Sequence, residues 1–88
     1  GKIHDAYRIQ FIREHLQQMR LAITDGVQIL GYCPWAAIDV VSTHQGYRKR
    51  YGFIYVDREE FDLKELKRFR KDSFYWYANV ILENGQNL

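Results

Sequence analysis

Between residues 5 and 25 the apolar side chains Ile9, Ile12, Leu16, Met19 and Ile23 recur at intervals of three and four. This puts them on one stripe of an amphipathic helix and obliges the rest of the chain to bury that stripe. Asp5 is placed to cap the helix by accepting backbone N–H bonds, and Gly26, after Thr24 and Asp25, to stop it in the left-handed conformation. Residues 27–33 follow, a short apolar run with Ile29, Leu30 and Tyr32 and no strict alternation. That pattern predicts a strand covered on both faces, the kind found in parallel sheets. Pro34 has no N–H for a ladder and marks the strand's end, so Trp35 falls near the carboxyl end. Helix, glycine, short loop and buried strand are the rhythm of an α/β protein, in which ligand sites gather beyond the carboxyl ends of the strands.

Residues 35–57 therefore lie where a site is expected. An apolar run through Ile38 and Val41 opens into a polar loop with Ser42, Thr43 and Tyr47, and then come three consecutive cations, Arg48, Lys49 and Arg50. Residues 51–57 alternate imperfectly, as a short strand or hairpin arm with Gly46 as a turn. Cations beside the hydroxyls of Ser42, Thr43, Tyr47 and Tyr51 suit an anion, phosphate first among them, because charge-assisted hydrogen bonds are the stronger kind. Trp35 adds a flat apolar face for a sugar or a base. The alternative is a solvated hairpin with a buried tryptophan, and the charges alone do not decide between the two.

The remaining sequence narrows the function. A length of 88 residues fits one small domain and excludes a multi-domain enzyme, and the 16% share of aromatic residues asks for a larger core than such a chain builds. Thirteen Lys and Arg against eleven Asp and Glu leave a net charge of +2, too little for a general polyanion binder. Residues 58–72 mix six cations with five anions, which predicts a solvated face and not a nucleic-acid surface. Asp72 or Ser73 is expected to cap a last helix running to about residue 83, with Phe74, Tyr77, Val80 and Ile81 inward, Tyr75 and Trp76 flanking them, and Asn84-Gly85 as terminator. Cys33 has no partner for an internal disulfide, which fits a reducing compartment, and its apolar setting predicts a packed thiol. His4, His15 and His44 stand apart from other ligands, so neither a metal nor a cofactor is expected. With no apolar run of membrane-spanning length and no signal-peptide region, the expectation is a soluble cytoplasmic protein without a membrane partner.

Several segments together are similar to one family. Ile3-His4-Asp5 with Tyr7-Arg8-Ile9, Gly31-Tyr32 with Pro34-Trp35, Ile38-Asp39, Lys49-Arg50-Tyr51-Gly52 running to Val56-Asp57, and Lys71 with Ser73-Phe74 and Trp76-Tyr77 resemble the carboxyl-terminal quarter of glycoside hydrolase family 1 enzymes, in their bacterial 6-phospho-β-glucosidase branch. The resemblance covers nearly the whole chain. It implies a fragment of a (β/α)8 TIM barrel, a fold of roughly 250 residues. Residues 1–88 would form a single piece of it: the seventh helix, the eighth strand, a long phosphate-binding loop with a hairpin, and the eighth helix. The aromatic residues would then pack against the rest of the barrel.

The resemblance also implies roles. Trp35 stands where the family's aromatic floor lies under the sugar at the cleavage point, and Ser42, Lys49 and Tyr51 match the residues that hold the 6-phosphate. Members acting on unphosphorylated sugars carry a glutamate in place of Ser42, where it would repel the dianion. Thr43 stands where 6-phospho-β-galactosidases usually carry a tryptophan, and a small residue there favours the gluco substrate. Hydrolysis in the family is of the retaining kind, with two carboxylates. Its acid/base belongs to an upstream Asn-Glu-Pro segment and its nucleophile to a Glu-Asn-Gly segment that would precede residue 1. Glu83-Asn84-Gly85 copies the latter but follows a helix, so no catalytic residue is expected in this chain and the chain alone is expected to be inactive. Its partner would be a phosphorylated disaccharide or β-glucoside. The competing readings are a free-standing module that binds a phosphorylated ligand or nucleic acid through residues 48–50, and self-association through exposed sheet edges and helix faces.

Overall fold

The computed structural model describes residues 2–40 and 50–88. Among them four elements follow in order: helix α1 (Ala6–Thr24), strand β1 (Ile54–Val56), strand β2 (Arg68–Arg70) and helix α2 (Asp72–Leu82). The periodic stripe forms α1, with Ile12 and Leu16 buried and Met19 packed beside them. Its ends are more open than the spacing predicts: Ile9 is partly exposed and Ile23 half exposed. Gly26 stops the helix at φ 98°, donating its N–H to the carbonyl of Ile23 at 3.0 Å. Asp5 occupies the N-cap position, but its side chain makes no capping bond to α1. Its carboxylate is buried and turned toward Ser73 and Arg8 instead, because a carboxylate out of water is held best by charged and convergent donors.

Residues 27–33 do not form the expected strand. Val27 is half exposed and Leu30 wholly so. A strand of a parallel sheet is held by ladder bonds to its neighbours, and no strand among the described residues pairs with this run. Cys33, expected to be packed, is exposed for the same reason.

Residues 51–57 do yield a strand. β1 pairs antiparallel with β2 in the register Ile54–Arg70, Tyr55–Phe69 and Val56–Arg68. β2 lies inside the segment expected to be a solvated face: Arg68 and Arg70 are exposed, while Phe69 meets Tyr55 with ring centroids 6.4 Å apart. The expectation fails outright at Lys71, which is 2% exposed. On its other side β1 touches residues 37–39 through a parallel bridge between Ile38 and Ile54. Gly52 makes that contact possible, since a Cβ on it would collide with the backbone of Ile38 and Asp39.

α2 starts directly after Lys71, which is its N-cap in place of the expected Asp72 or Ser73. Val80 is buried and Phe74, Trp76 and Tyr77 pack against the core, but Ile81, expected inward, is 66% exposed. Asn84 and Gly85 end the helix with φ of 51° and 72°, and Gly85 donates its N–H to the Val80 carbonyl at 2.8 Å, a helix-closing bond. The core is the meeting of α1, Phe53 and α2: Ile12, Leu16, Phe53 and Val80, with Phe53 stacked on Tyr77 at 5.1 Å. An apolar groove of about 340 Å³ remains open between residues 34–37, Phe53, Ile54 and the Phe74, Tyr77 and Ile81 side of α2.

Burial pushes the Tyr32 and Tyr77 hydroxyls above the ordinary tyrosine value of 10.0, and for Tyr77 the nearby Tyr32 and Cys33 add to the shift. The unfolded chain ionises these groups first. Their contribution to stability is therefore complete below pH 10.0 and is lost as the pH rises through the raised values. Tyr77→Phe is expected to flatten the alkaline fall of the unfolding midpoint, read from denaturant titrations between about pH 9 and pH 11. A fall as steep as that of the parent chain would contradict the assignment.

Candidate ligand site

Of the five residues singled out for substrate, Trp35 and Tyr51 are described, and Ser42, Thr43 and Lys49 lie outside the described residues, as do Gly46, Tyr47 and Arg48. Trp35 and Tyr51 come together on one small cavity of about 90 Å³, whose other walls include Arg8, Phe11, Tyr32 and Pro34. Trp35 is 73% exposed, which rules out the reading with a buried tryptophan. It precedes a sharp turn in which Ala36 takes a φ of 63°, a left-handed conformation that costs a residue with a Cβ on the order of 1 kcal/mol. The result is a wide indole surface standing in the open beside a tyrosine, a shape suited to a flat sugar face.

Arg50, the third cation of the run, does not face that cavity. Its guanidinium turns inward over the Tyr55 ring at 4.3 Å and donates to the carbonyls of Val56 (2.7 Å) and Arg58 (2.5 Å) and to the Asp39 carboxylate at 3.2 Å. The expectation that all three cations serve an anion is corrected here. Three of the donors of its guanidinium are thus directed to the fold.

Asp39 is the centre of this arrangement. Its side chain has no exposed surface, and among the described residues it accepts from Lys71 Nζ at 2.8 Å and the Gly52 N–H at 3.1 Å on one oxygen, and from Arg50 at 3.2 Å and the Val56 N–H at 3.3 Å on the other. Residues 41–49 lie outside the described residues, and the Asp39–Arg50 pair joins a residue that precedes them in the chain to one that follows. Burial lowers the Lys71 pKa below its usual 10.5, while the Asp39 partner and, more weakly, Asp5 pull it back up.

A second buried group sits beside the first. Arg8 Nε meets Asp5 at 3.2 Å, and its two terminal nitrogens donate to the Tyr51 carbonyl at 2.9 Å, to the Arg50 carbonyl and to the Tyr7 hydroxyl at 3.2 Å. Asp5 in turn accepts from the Ser73 N–H at 2.9 Å and the Ser73 hydroxyl at 2.5 Å. Ser73, fully buried, and Lys71 thus fix both groups to the start of α2.

In the sequence alone Arg8, Asp39 and Lys71 have no assigned role and Asp5 and Ser73 read only as helix caps, although all five occur in the matching segments. A signal was present. Asp39 is a lone carboxylate in the apolar run Ala36-Ala37-Ile38-Asp39-Val40-Val41, and a carboxylate so placed has to find a cation. Its partner Lys71, 32 residues away, was not legible. Glu83 lies exposed at the carboxyl end of α2, apart from the Trp35–Tyr51 cavity. His15 is exposed, with Nδ1 on the Phe11 carbonyl at 2.8 Å, and His4 is not isolated but pairs with Asp72 at 2.7 Å. Among the described residues no three metal-ligating side chains converge and no helix is long and apolar enough to cross a membrane.

The arrangement has known counterparts. A family 1 β-glucosidase from Thermotoga maritima superimposes on 97% of the chain with a TM-score of 0.86 and 41% identity, and the match takes up 18% of that structure. The chain therefore has the fold of a piece of a family 1 β-glucosidase barrel. The sequence profile of Glycosyl hydrolase family 1 matches residues 1–86, and the chain belongs to that family. It is 52% identical over its full length to the aryl-phospho-β-D-glucosidase BglC of Bacillus subtilis and 51% identical to a 6-phospho-β-glucosidase of Dickeya chrysanthemi. It spans 18% and 19% of those two proteins.

Proposed function

We propose that these 88 residues are the phosphate-recognising part of a retaining 6-phospho-β-glucosidase, which splits cellobiose or aryl-glucoside 6-phosphates into glucose 6-phosphate and a sugar or aglycone. Trp35 is the platform under the sugar ring. Ser42, Lys49 and Tyr51 hold the 6-phosphate, with lysine as a compact charge and the two hydroxyls as donors. Thr43 is small and leaves room for the gluco epimer. The observation that carries the reading is the identity of 52% over all 88 residues to an aryl-phospho-β-D-glucosidase. The meeting of Trp35 and Tyr51 on one cavity supports it. The two carboxylates of retaining hydrolysis, about 5–5.5 Å apart, come from other parts of the barrel in this reading, so the chain by itself does not cut.

The test is a chimera in which these residues replace the matching segment of the Bacillus subtilis relative. The folded chimera is expected to hydrolyse an aryl 6-phospho-β-glucoside in strong preference to the unphosphorylated glucoside. The isolated chain is expected to release no product, with or without Glu83→Gln. Turnover by the isolated chain, or a folded chimera that favours the unphosphorylated glucoside, would overturn the reading.

A further inference from the structure

We infer that Arg8 is a positioning residue for substrate recognition, acting through the main chain of Tyr51; the inference rests on the reading of Tyr51 as a phosphate ligand. Arg8 belongs to α1, 43 residues before Tyr51, and lines the cavity that Trp35 and Tyr51 share. Its guanidinium holds the carbonyls of two successive residues, Arg50 and Tyr51, which fixes the direction of the main chain as it approaches β1. A fork of this kind needs arginine. A lysine keeps the charge beside Asp5 but presents one nitrogen, which does not span two carbonyls and a carboxylate at once.

Arg8 is itself held rigidly. Only a tenth of its side chain is exposed, and Asp5, its carboxylate partner, is tied to α2 by both the N–H and the hydroxyl of Ser73. Asp5, Arg8 and Ser73 thus connect the starts of both helices to the backbone of a single site residue. A purely structural salt bridge has no need to end on that backbone. Ligand groups must be held to a fraction of an ångström by a supporting shell, and this chain of bonds supplies one for Tyr51. None of the three touches substrate in this account.

The experiment uses the chimera with Arg8→Lys, Tyr51→Phe and the two combined, assayed on phosphorylated and unphosphorylated aryl glucosides. Arg8→Lys is expected to raise KM for the phosphorylated substrate on the order of tenfold, with a smaller effect on kcat and on the unphosphorylated substrate. Tyr51→Phe alone is expected to show the same selectivity, and the double variant to lose little beyond the larger single loss, since the two act on one contact. If Tyr51→Phe is selective but Arg8→Lys weakens both substrates equally, leaves KM unchanged, or adds its full loss to that of Tyr51→Phe, Arg8 is merely structural and the inference fails. If Tyr51→Phe is itself unselective, the phosphate role of Tyr51 fails and this inference with it.

Discussion

Lys71→Met is expected to abolish cooperative unfolding of the 88-residue chain at neutral pH, leaving far-UV circular dichroism well short of that of the two helices. Asp39 has no exposed side-chain surface, and Lys71, 2% exposed, is its closest cation among the described residues, at 2.8 Å. Removing one partner of a buried pair leaves the other charge uncompensated, at a cost of about 3–5 kcal/mol. Small domains have little more than this in total, and among the described residues the buried apolar side chains are five: Ile12, Leu16, Phe53, Val56 and Val80. Arg50 and two backbone N–H groups still face Asp39 in the variant, but they already do so in the parent chain and cannot replace the lost donor.

The double variant Lys71→Met with Asp39→Leu separates charge from packing. With both charges gone no buried carboxylate is left short of a cation; the Gly52 and Val56 N–H groups lose their acceptor, a smaller cost than an unpaired buried charge, so the double variant is expected to be more stable than Lys71→Met alone. Arg50 keeps the carbonyls of Val56 and Arg58 in that background. There is also a pH signature. Because burial lowers the Lys71 pKa in the fold, the unfolded chain binds the extra proton between that lowered value and 10.5, so the contribution of Lys71 to stability climbs with pH across this window. A Lys71→Met chain with a parental denaturation midpoint would show that the Asp39–Lys71 pair does not hold the fold.

The second large effect is expected at Ser42. On the proposed reading its hydroxyl donates to a phosphate dianion, and Ser42→Glu exchanges a donor for a carboxylate. Unit charges about 4 Å apart near a protein surface interact by about 4 kcal/mol before screening by salt. Even a partly screened repulsion lowers kcat/KM for the phosphorylated glucoside by on the order of a hundredfold, a difference of about 2.7 kcal/mol. The unphosphorylated glucoside brings no charge to that position and is expected to change far less. The assay is the chimera on both substrates at low ionic strength, where the repulsion is least screened. Losses of equal size for the two would remove Ser42 from the phosphate site.

The elements that were legible in the sequence are those whose signal is local. The stripe of α1, the glycine stop at Gly26 and the Asn84-Gly85 terminator each depend on residues within a turn or two of one another. The strand expected at residues 27–33 depends instead on neighbours, and an apolar run without ladder partners stays extended and exposed at Leu30. β2 was hidden for the opposite reason: Arg68 and Arg70 carry the charge of a solvated segment, and only Phe69 between them marks the inward face. Residues 48–50 read as one basic cluster because charge is visible and direction is not, whereas Arg50 turns to Asp39 and the carbonyls of Val56 and Arg58. Trp35 and Tyr51 stand out in the residue pattern itself, and the family resemblance adds their roles under the sugar and at the phosphate. Their meeting on one cavity needed the bend after Trp35 and the Arg8 bonds to the Tyr51 backbone, neither of which has a local sequence signal.

Exposed Leu30, Phe61 and Leu82, each at least 80% accessible, together with the open groove against α2, give the chain more uncovered apolar surface than a small domain usually leaves in water. They are the expected route of any self-association of the isolated chain.

If this segment recognises a sugar through its phosphate, the loss is expected to be sharpest for Lys49→Ala in the chimera. The quantity to measure is the ratio of kcat/KM for the aryl 6-phospho-β-glucoside to that for the unphosphorylated glucoside. The account predicts that this ratio collapses by on the order of a hundredfold, as loss of a charge-assisted contact to a dianion requires, with the unphosphorylated reaction much less affected. A ratio that stays at the parental value while both reactions slow together would contradict it.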